Sequence, residues 1–193
     1  MDKKILVING HPDVESFNQA LSQSYIDGVK QSGSSVHSIN IRELDFNPNL
    51  KFGYRKRTEL EPDLLNAIEQ IKEADHLVWV FPMWWYGYPA IMKGFIDRVF
   101  LPGITFEFVE GKPIPKGLLK GKTGRIIMTA DTPRWYDRLF MESPAINQFK
   151  KGTLRFCGIK PVKVTYIATI KNSTDTFRKK QLNRVFEMGK SNS

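Results

Sequence analysis

The 193-residue chain has one cysteine, three histidines and no long apolar run. The lone Cys157 excludes an intramolecular disulfide, and its setting Arg155-Phe156-Cys157-Gly158 offers neither a second cysteine nor a histidine as a metal partner. It reads as a buried structural thiol, and no metal site is expected. The longest apolar runs, such as residues 77–81, fall far short of the roughly 20 residues that cross a bilayer. No integral membrane segment is therefore expected. The first residues, Met1-Asp2-Lys3-Lys4, run straight into a strand pattern without the apolar stretch of a secretory signal, so a cytoplasmic protein is expected. Internal repeats, low-complexity tracts and interdomain linkers are also missing, which leaves one domain over residues 1–193.

Acidic residues are in deficit. Twenty Asp and Glu against 29 Lys and Arg give a net charge of +9 and a pI near 9.6. Such a balance suits phosphorylated cofactors, anionic lipid or nucleic acid, and equally a solvated basic surface. The charges are dispersed and no nucleic-acid motif accompanies them, so no nucleic-acid partner is expected.

What is present alternates between two patterns. Ile5-Leu6-Val7-Ile8 is a short continuous apolar run, as in a parallel strand buried on both faces. Asn9-Gly10-His11-Pro12 ends it, and Ser16 caps a helix in which Phe17, Leu21, Tyr25 and Val29 recur every four residues up to Gly33. A second strand is expected over residues 36–41, followed by an irregular descent into the basic and aromatic loop Lys51-Phe52-Gly53-Tyr54-Arg55-Lys56-Arg57. Pro62 opens a helix with an apolar stripe at Leu64, Leu65, Ile68 and Ile71. The third strand, residues 77–81, lacks polar alternation and should be central. A helix follows Pro89; residues 104–109 read as a short extended excursion and residues 111–122 as loop. The fourth strand spans residues 125–129, with a loop from Ala130 to Tyr136 at its end. A helix from Ser143-Pro144 to Gly158, an edge strand over 162–167 and a last helix over about 173–188 complete the chain. In that helix Phe177, Leu182, Val185 and Phe186 should face inward and Arg178, Lys179 and Lys180 outward.

Strands alternating with helices argue for one parallel sheet covered on both faces. In the flavodoxin-like strand order 2-1-3-4-5 the ligand crevice lies where the first and third strands diverge, with FMN as the known occupant in that fold class. The loops after strands one, three and four should then be the unusual ones. In the first, Ser16, Phe17 and Asn18 start a helix, where free N–H groups and the helix dipole attract a phosphate, and His11 can reach the same anion. In the second, Pro82-Met83-Trp84-Trp85-Tyr86-Gly87 forms a stiff aromatic ledge for a flat ring, or alternatively a core or subunit contact. In the third, Thr129, Ala130, Asp131 and Thr132 supply groups from the opposite side. Tyr136 is a candidate proton or hydrogen-bond donor, or a packing residue, and Asp131 could instead cap a turn.

At these residues the chain resembles the NAD(P)H:quinone oxidoreductase family of flavodoxin-like flavoproteins. Gly10-His11-Pro12 with Ser16-Phe17-Asn18, and Pro82-Met83-Trp84-Trp85-Tyr86-Gly87-Tyr88-Pro89-Ala90, look like that family's two signatures. The resemblance implies a three-layer sandwich and a homodimer with flavin at the subunit interface. His11, Ser16, Phe17 and Asn18 would surround the flavin phosphate or pyrophosphate, and Pro82 to Gly87 would line its ring. It implies FAD, with FMN as the alternative, NAD(P)H as co-substrate and a quinone or similar small electrophile as acceptor. The longer animal enzymes carry Thr-Thr-Gly-Gly after the fourth strand and a Tyr/His pair; here that place reads Thr129-Ala130-Asp131-Thr132, and no histidine follows His76. These features are closer to the small bacterial members. Two other roles stay open: a nitro, azo or flavin reductase, and a flavin-binding ancillary subunit of a membrane transport system.

Overall fold

The computed structural model describes residues 3–53 and 55–192. Tyr54, within the basic and aromatic loop, lies outside the described residues. The elements in chain order are β1 (Lys4–Asn9), α1 (Phe17–Gln31), β2 (Ser35–Asn40), α2 (Pro62–Glu73), β3 (His76–Pro82), α3 (Ala90–Val99), β4 (Phe106–Glu107), β5 (Lys116–Gly117), β6 (Thr123–Thr129), α4 (Arg134–Leu139), α5 (Pro144–Asn147), β7 (Val162–Ile167) and α6 (Asp175–Lys190). Ser16 and Pro62 act as the sequence predicts: Ser16 Oγ accepts the Gln19 N–H at 3.2 Å, and Pro62 occupies the first turn of α2.

Five strands form one parallel sheet in the order β2-β1-β3-β6-β7. Counting only these five, this is the expected 2-1-3-4-5 order of a flavodoxin-like fold. Alternate residues of the central strands feed two cores. Leu6, Ile8, Leu77, Trp79, Phe81, Ile126 and Met128 pack under α2, α3 and the segment after α5. Ile5, Val7, Val78, Val80 and Ile127 pack under α1 and α6. Both faces are thus covered, which explains why these strands read as unbroken apolar runs. Helices α1 and α6 approach so closely that a Cβ on Gly28 would lie 2.0 Å from the Phe186 carbonyl oxygen.

Three stretches differ from expectation. Residues 111–122 are not all loop, because Lys116–Gly117 pairs antiparallel with Phe106–Glu107; two-residue strands carry too little pattern to be read. Tyr136 lies on the short helix α4 rather than in a loop. The helix expected from Ser143 to Gly158 is divided: α5 passes into a π-helical segment over Gln148–Arg155, a wider winding that periodicity counting cannot distinguish.

His76 opens β3 nearly sealed from solvent, with Nδ1 2.6 Å from Thr123 Oγ1. Burial, assisted by the charges of Arg125, Lys3 and Lys163, pushes its imidazole down to about 4. The folded state therefore binds this proton less readily than the unfolded chain. Stability attributable to His76 is complete above pH 6.5 and declines as pH falls toward 4, by roughly 3 kcal/mol. Urea unfolding across that interval should show the decline, and His76→Asn should flatten it. A wild-type profile already flat there would remove His76 as its source.

Candidate functional site

The ends of β1, β3 and β6 are tied together by specific bonds. The Met83 N–H donates to the Thr129 carbonyl at 2.7 Å and the Gly10 N–H to the Val80 carbonyl at 2.9 Å, so the sheet stays paired to its C-terminal edge. Thr129 Oγ1 donates to Asn18 Oδ1 at 2.9 Å, fastening the start of α1 to the end of β6. His11 meets Trp84 edge-on, ring centroids 5.5 Å apart. The three predicted loops consequently converge on one open cleft of about 300 Å³, lined by His11, Ser16, Phe17, Asn18, Pro82, Met83, Trp84, Thr129, Ala130 and Asp131. Trp85, Tyr86, Gly87, Thr132 and Tyr136 are not part of its lining.

At the α1 side the chain makes a succession of tight side-chain turns. The His11 N–H donates to Asn9 Oδ1 at 3.0 Å, the Asp13 N–H to His11 Nδ1 at 3.0 Å and the Glu15 N–H to Asp13 Oδ1 at 3.0 Å. Because Nδ1 accepts, the neutral ring carries its proton on Nε2. Burial lowers the His11 imidazole below the ordinary histidine value; Asp13 pulls it back and Arg42 adds to the lowering. At neutral pH His11 is thus an uncharged donor, a neutral ligand for an anion rather than a counterion. Phe17 and Asn18 belong to the first turn of α1, whose N–H groups are not consumed within the helix.

Asn18 provides a sharper sign. It is buried, its oxygen is engaged by Thr129, and its Nδ2 has no partner among the described residues. A buried amide N–H without an acceptor costs about 1–3 kcal/mol, and it lies beside the free end of a helix dipole. Such an orphan donor matches a ligand carrying oxygen acceptors.

The aromatic ledge has an unusual backbone. Trp84 and Gly87 exchange both hydrogen bonds, 3.0 and 2.9 Å, around two central residues with positive φ, 49° at Trp85 and 57° at Tyr86. This is the pattern of a tight type I′ turn, which favours Asn-Gly and is here filled by two bulky aromatics. Each left-handed residue costs about 1–2 kcal/mol. Trp85 is also fully exposed, so packing gives nothing back. Backbone strain of this kind clusters at ligand-binding loops, which makes the turn beside the cleft a candidate part of a site.

In the third loop Asp131 behaves as a structural cap: its Oδ1 accepts the Lys171 N–H at 2.7 Å. Tyr166 donates its hydroxyl to the Thr132 carbonyl at 2.8 Å, with the Arg134 guanidinium 4.9 Å over its ring. Arg134 in turn pairs with the buried Asp137 at 2.6 Å. Tyr136 stands apart from this network, 39% exposed and stacked on Phe140 at 5.1 Å.

Sequence reasoning missed Ile170, Lys171 and Arg178, which close the cleft from the C-terminal part of the chain. Arg178 was expected on the outer face of α6. Instead its Nε donates to Ser173 Oγ at 2.8 Å, a terminal nitrogen reaches the Ile170 carbonyl at 3.3 Å, and its guanidinium lies 5.5 Å over the Phe17 ring. Its place in the first turns of α6, where a helix face is still undefined by periodicity, hid it. The result is a fixed cation beside the α1 N-terminus, reinforcing attraction for an anion.

The parallel sheet, with an anion-attracting helix start and an aromatic turn at its switch point, defines a flavodoxin-like α/β protein. The chain belongs to the family described by the flavodoxin-like fold, which it matches over residues 3–187. The structure of Smu.1420 from Streptococcus mutans UA159 superposes with a TM-score of 0.86 at 32% identity, covering 97% of this chain and 99% of that one. Ribosyldihydronicotinamide dehydrogenase (quinone) of Homo sapiens is 27% identical over 182 residues, which cover 82% of this chain and 78% of the relative. The FMN-dependent NADH-azoreductase of Bacillus anthracis str. Ames Ancestor, solved in complex with FMN, shares the fold with a TM-score of 0.79 at 20% identity, covering 100% of this chain and 99% of that one.

Proposed function

We propose that this protein is a flavin-dependent NAD(P)H oxidoreductase acting on a quinone or a similar small electrophile. The convergence of three loops on one cleft carries this reading, above all the orphaned Asn18 amide beside a helix N-terminus and a strained aromatic turn. A flavin held there would supply the two-electron chemistry that links NAD(P)H to the acceptor. His11, Ser16, Phe17 and Asn18, joined by Arg178, hold the flavin phosphate. Pro82, Met83, Trp84, Trp85, Tyr86 and Gly87 present apolar surface to the ring, and the N–H groups of Trp85 and Tyr86, which neither the turn nor Thr129 consumes, are the backbone donors of this stretch. Thr129, Ala130, Asp131 and Thr132 bound the far side. Fixed N–H groups would stabilise charge on the ring without having to reorganise, and Tyr136, outside the cleft lining and stacked on Phe140, is the candidate donor toward the acceptor.

The working form is a single-domain cytoplasmic homodimer. Support comes from the apolar side chains left uncovered beside the site: Trp85 at 100%, Trp135 at 60%, Leu139 at 70% and Phe140 at 66% exposure, a surface suited to burial against a second copy. The sequence resemblance favours FAD, and the FMN-bound azoreductase supports FMN as the alternative. The purified protein should be yellow, release its flavin on acid treatment for chromatographic assignment, and oxidise NADPH or NADH rapidly once a quinone is added. A colourless protein that neither flavin reconstitutes would end this reading. Bound flavin without turnover toward quinone, azo or nitro acceptors would move the protein to the class of ancillary subunits.

A further inference from the structure

The β4–β5 hairpin stands apart from the parallel sheet yet is rigidly seated. The Leu118 N–H donates to the Thr105 carbonyl at 2.9 Å and the Leu119 N–H to the Cys157 carbonyl at 2.8 Å. Gly117 lies against the 157–158 backbone so tightly that a Cβ there would sit 2.4 Å from the Cys157 carbonyl carbon. Between this hairpin and residues 155–160 runs an open groove of about 1000 Å³ bearing Lys112, Lys116, Lys120, Arg155 and Lys160, all exposed. Its one carboxylate, Glu107, is engaged by Lys116 at 2.7 Å. The other four cations have no carboxylate partner among the described residues. Ile114, at the same groove, is 73% exposed.

We propose that this face docks the protein on an anionic lipid bilayer. Four unpaired cations held on a fixed concave surface match a dense layer of phosphate headgroups. Ile114 supplies what a purely polyanionic partner would not use: an aliphatic side chain that gains by entering the acyl boundary between headgroups. No helix among the described residues is long and apolar enough to cross a membrane, so the contact is peripheral. It does not depend on whether the cleft holds a flavin.

The test is co-sedimentation of the full chain with vesicles of phosphatidylcholine alone or mixed with phosphatidylglycerol. Binding is expected to the mixed vesicles only and to be lost at high salt. The triple substitution Lys112→Gln, Lys120→Gln, Lys160→Gln should lower the partition coefficient by about 100-fold, at roughly fivefold per lost cation near the surface. Lys179→Gln with Lys180→Gln, equal in kind but on the exposed side of α6, should leave binding within about twofold of wild type, separating this groove from net charge. Absence of binding to mixed vesicles, or equal losses for the two sets of variants, would overturn the proposal. Release by inorganic phosphate at constant ionic strength would also overturn it, assigning the groove to a soluble phosphate ligand, as would tighter retention on a single-stranded polynucleotide than on the vesicles.

Discussion

Replacing Trp85 by asparagine is expected to make the flavin-free protein more stable by about 1 kcal/mol, because asparagine tolerates the left-handed conformation that costs a bulky residue about 1–2 kcal/mol. Trp85 is wholly exposed, so no packing is surrendered. The same change should weaken flavin retention by roughly 5- to 150-fold, the loss of about 1–3 kcal/mol that removal of an aromatic platform under a flat heterocycle brings. Denaturant unfolding of the apoprotein and fluorescence titration with flavin check the two halves separately. Opposite signs are the diagnostic outcome: strain is maintained at this turn because a ligand uses the ring. A variant that loses stability would show that Trp85 is structural, and unchanged flavin affinity would remove the turn from the binding site.

The contrast between this turn and the sheet shows where a sequence is legible. Strands β1, β3 and β6 announce themselves because burial on both faces fills their middles with consecutive apolar residues, and their order was expected from the flavodoxin-like fold class. His11, Ser16, Asn18, Met83, Trp84 and Thr129 were within reach for the same reason: a switch point fixes which loops converge. Beyond that, local pattern stops carrying information. The backbone of Trp85 and Tyr86 contradicts their intrinsic preference, so nothing in the residue types predicts positive φ there. Arg178 reads as solvent-facing charge, and only the tertiary position of the Ile170–Ser173 turn draws it over Phe17. Tyr136 was legible as an aromatic near the fourth strand, whereas its helical setting and its stacking on Phe140 depend on α4, six residues too few to show a period.

Arg98 illustrates the same limit in the core, and its replacement should cost a large share of the stability. It lies on α3, 1% exposed, and its guanidinium gathers the long connection between β2 and α2. It pairs with Glu61 at 2.7 Å and donates to the carbonyls of Asn47 and Glu59. Arg98→Met is expected to cost about 3 kcal/mol, since it leaves the half-buried Glu61 carboxylate without its cation and two loop carbonyls without their donor. Arg98→Lys should recover little, because a single ammonium cannot reproduce a planar fork that reaches three acceptors. Adding Glu61→Gln to Arg98→Met should restore part of the loss by removing the stranded charge. The acid limb supplies an independent readout. Burial by itself would raise the Glu61 carboxyl, but the Asn47 N–H and Arg98 outweigh it and hold it below its usual value. Its contribution is therefore present above the ordinary carboxylate pKa and is lost as pH falls through the lowered one, a window on the acid side of the His76 decline. In Arg98→Met that acid-side loss should shrink while the decline between pH 6.5 and 4 remains. A variant as stable as wild type, or one with an unaltered acid limb, would mean that the connection is held by its apolar contacts and that the ion pair is incidental.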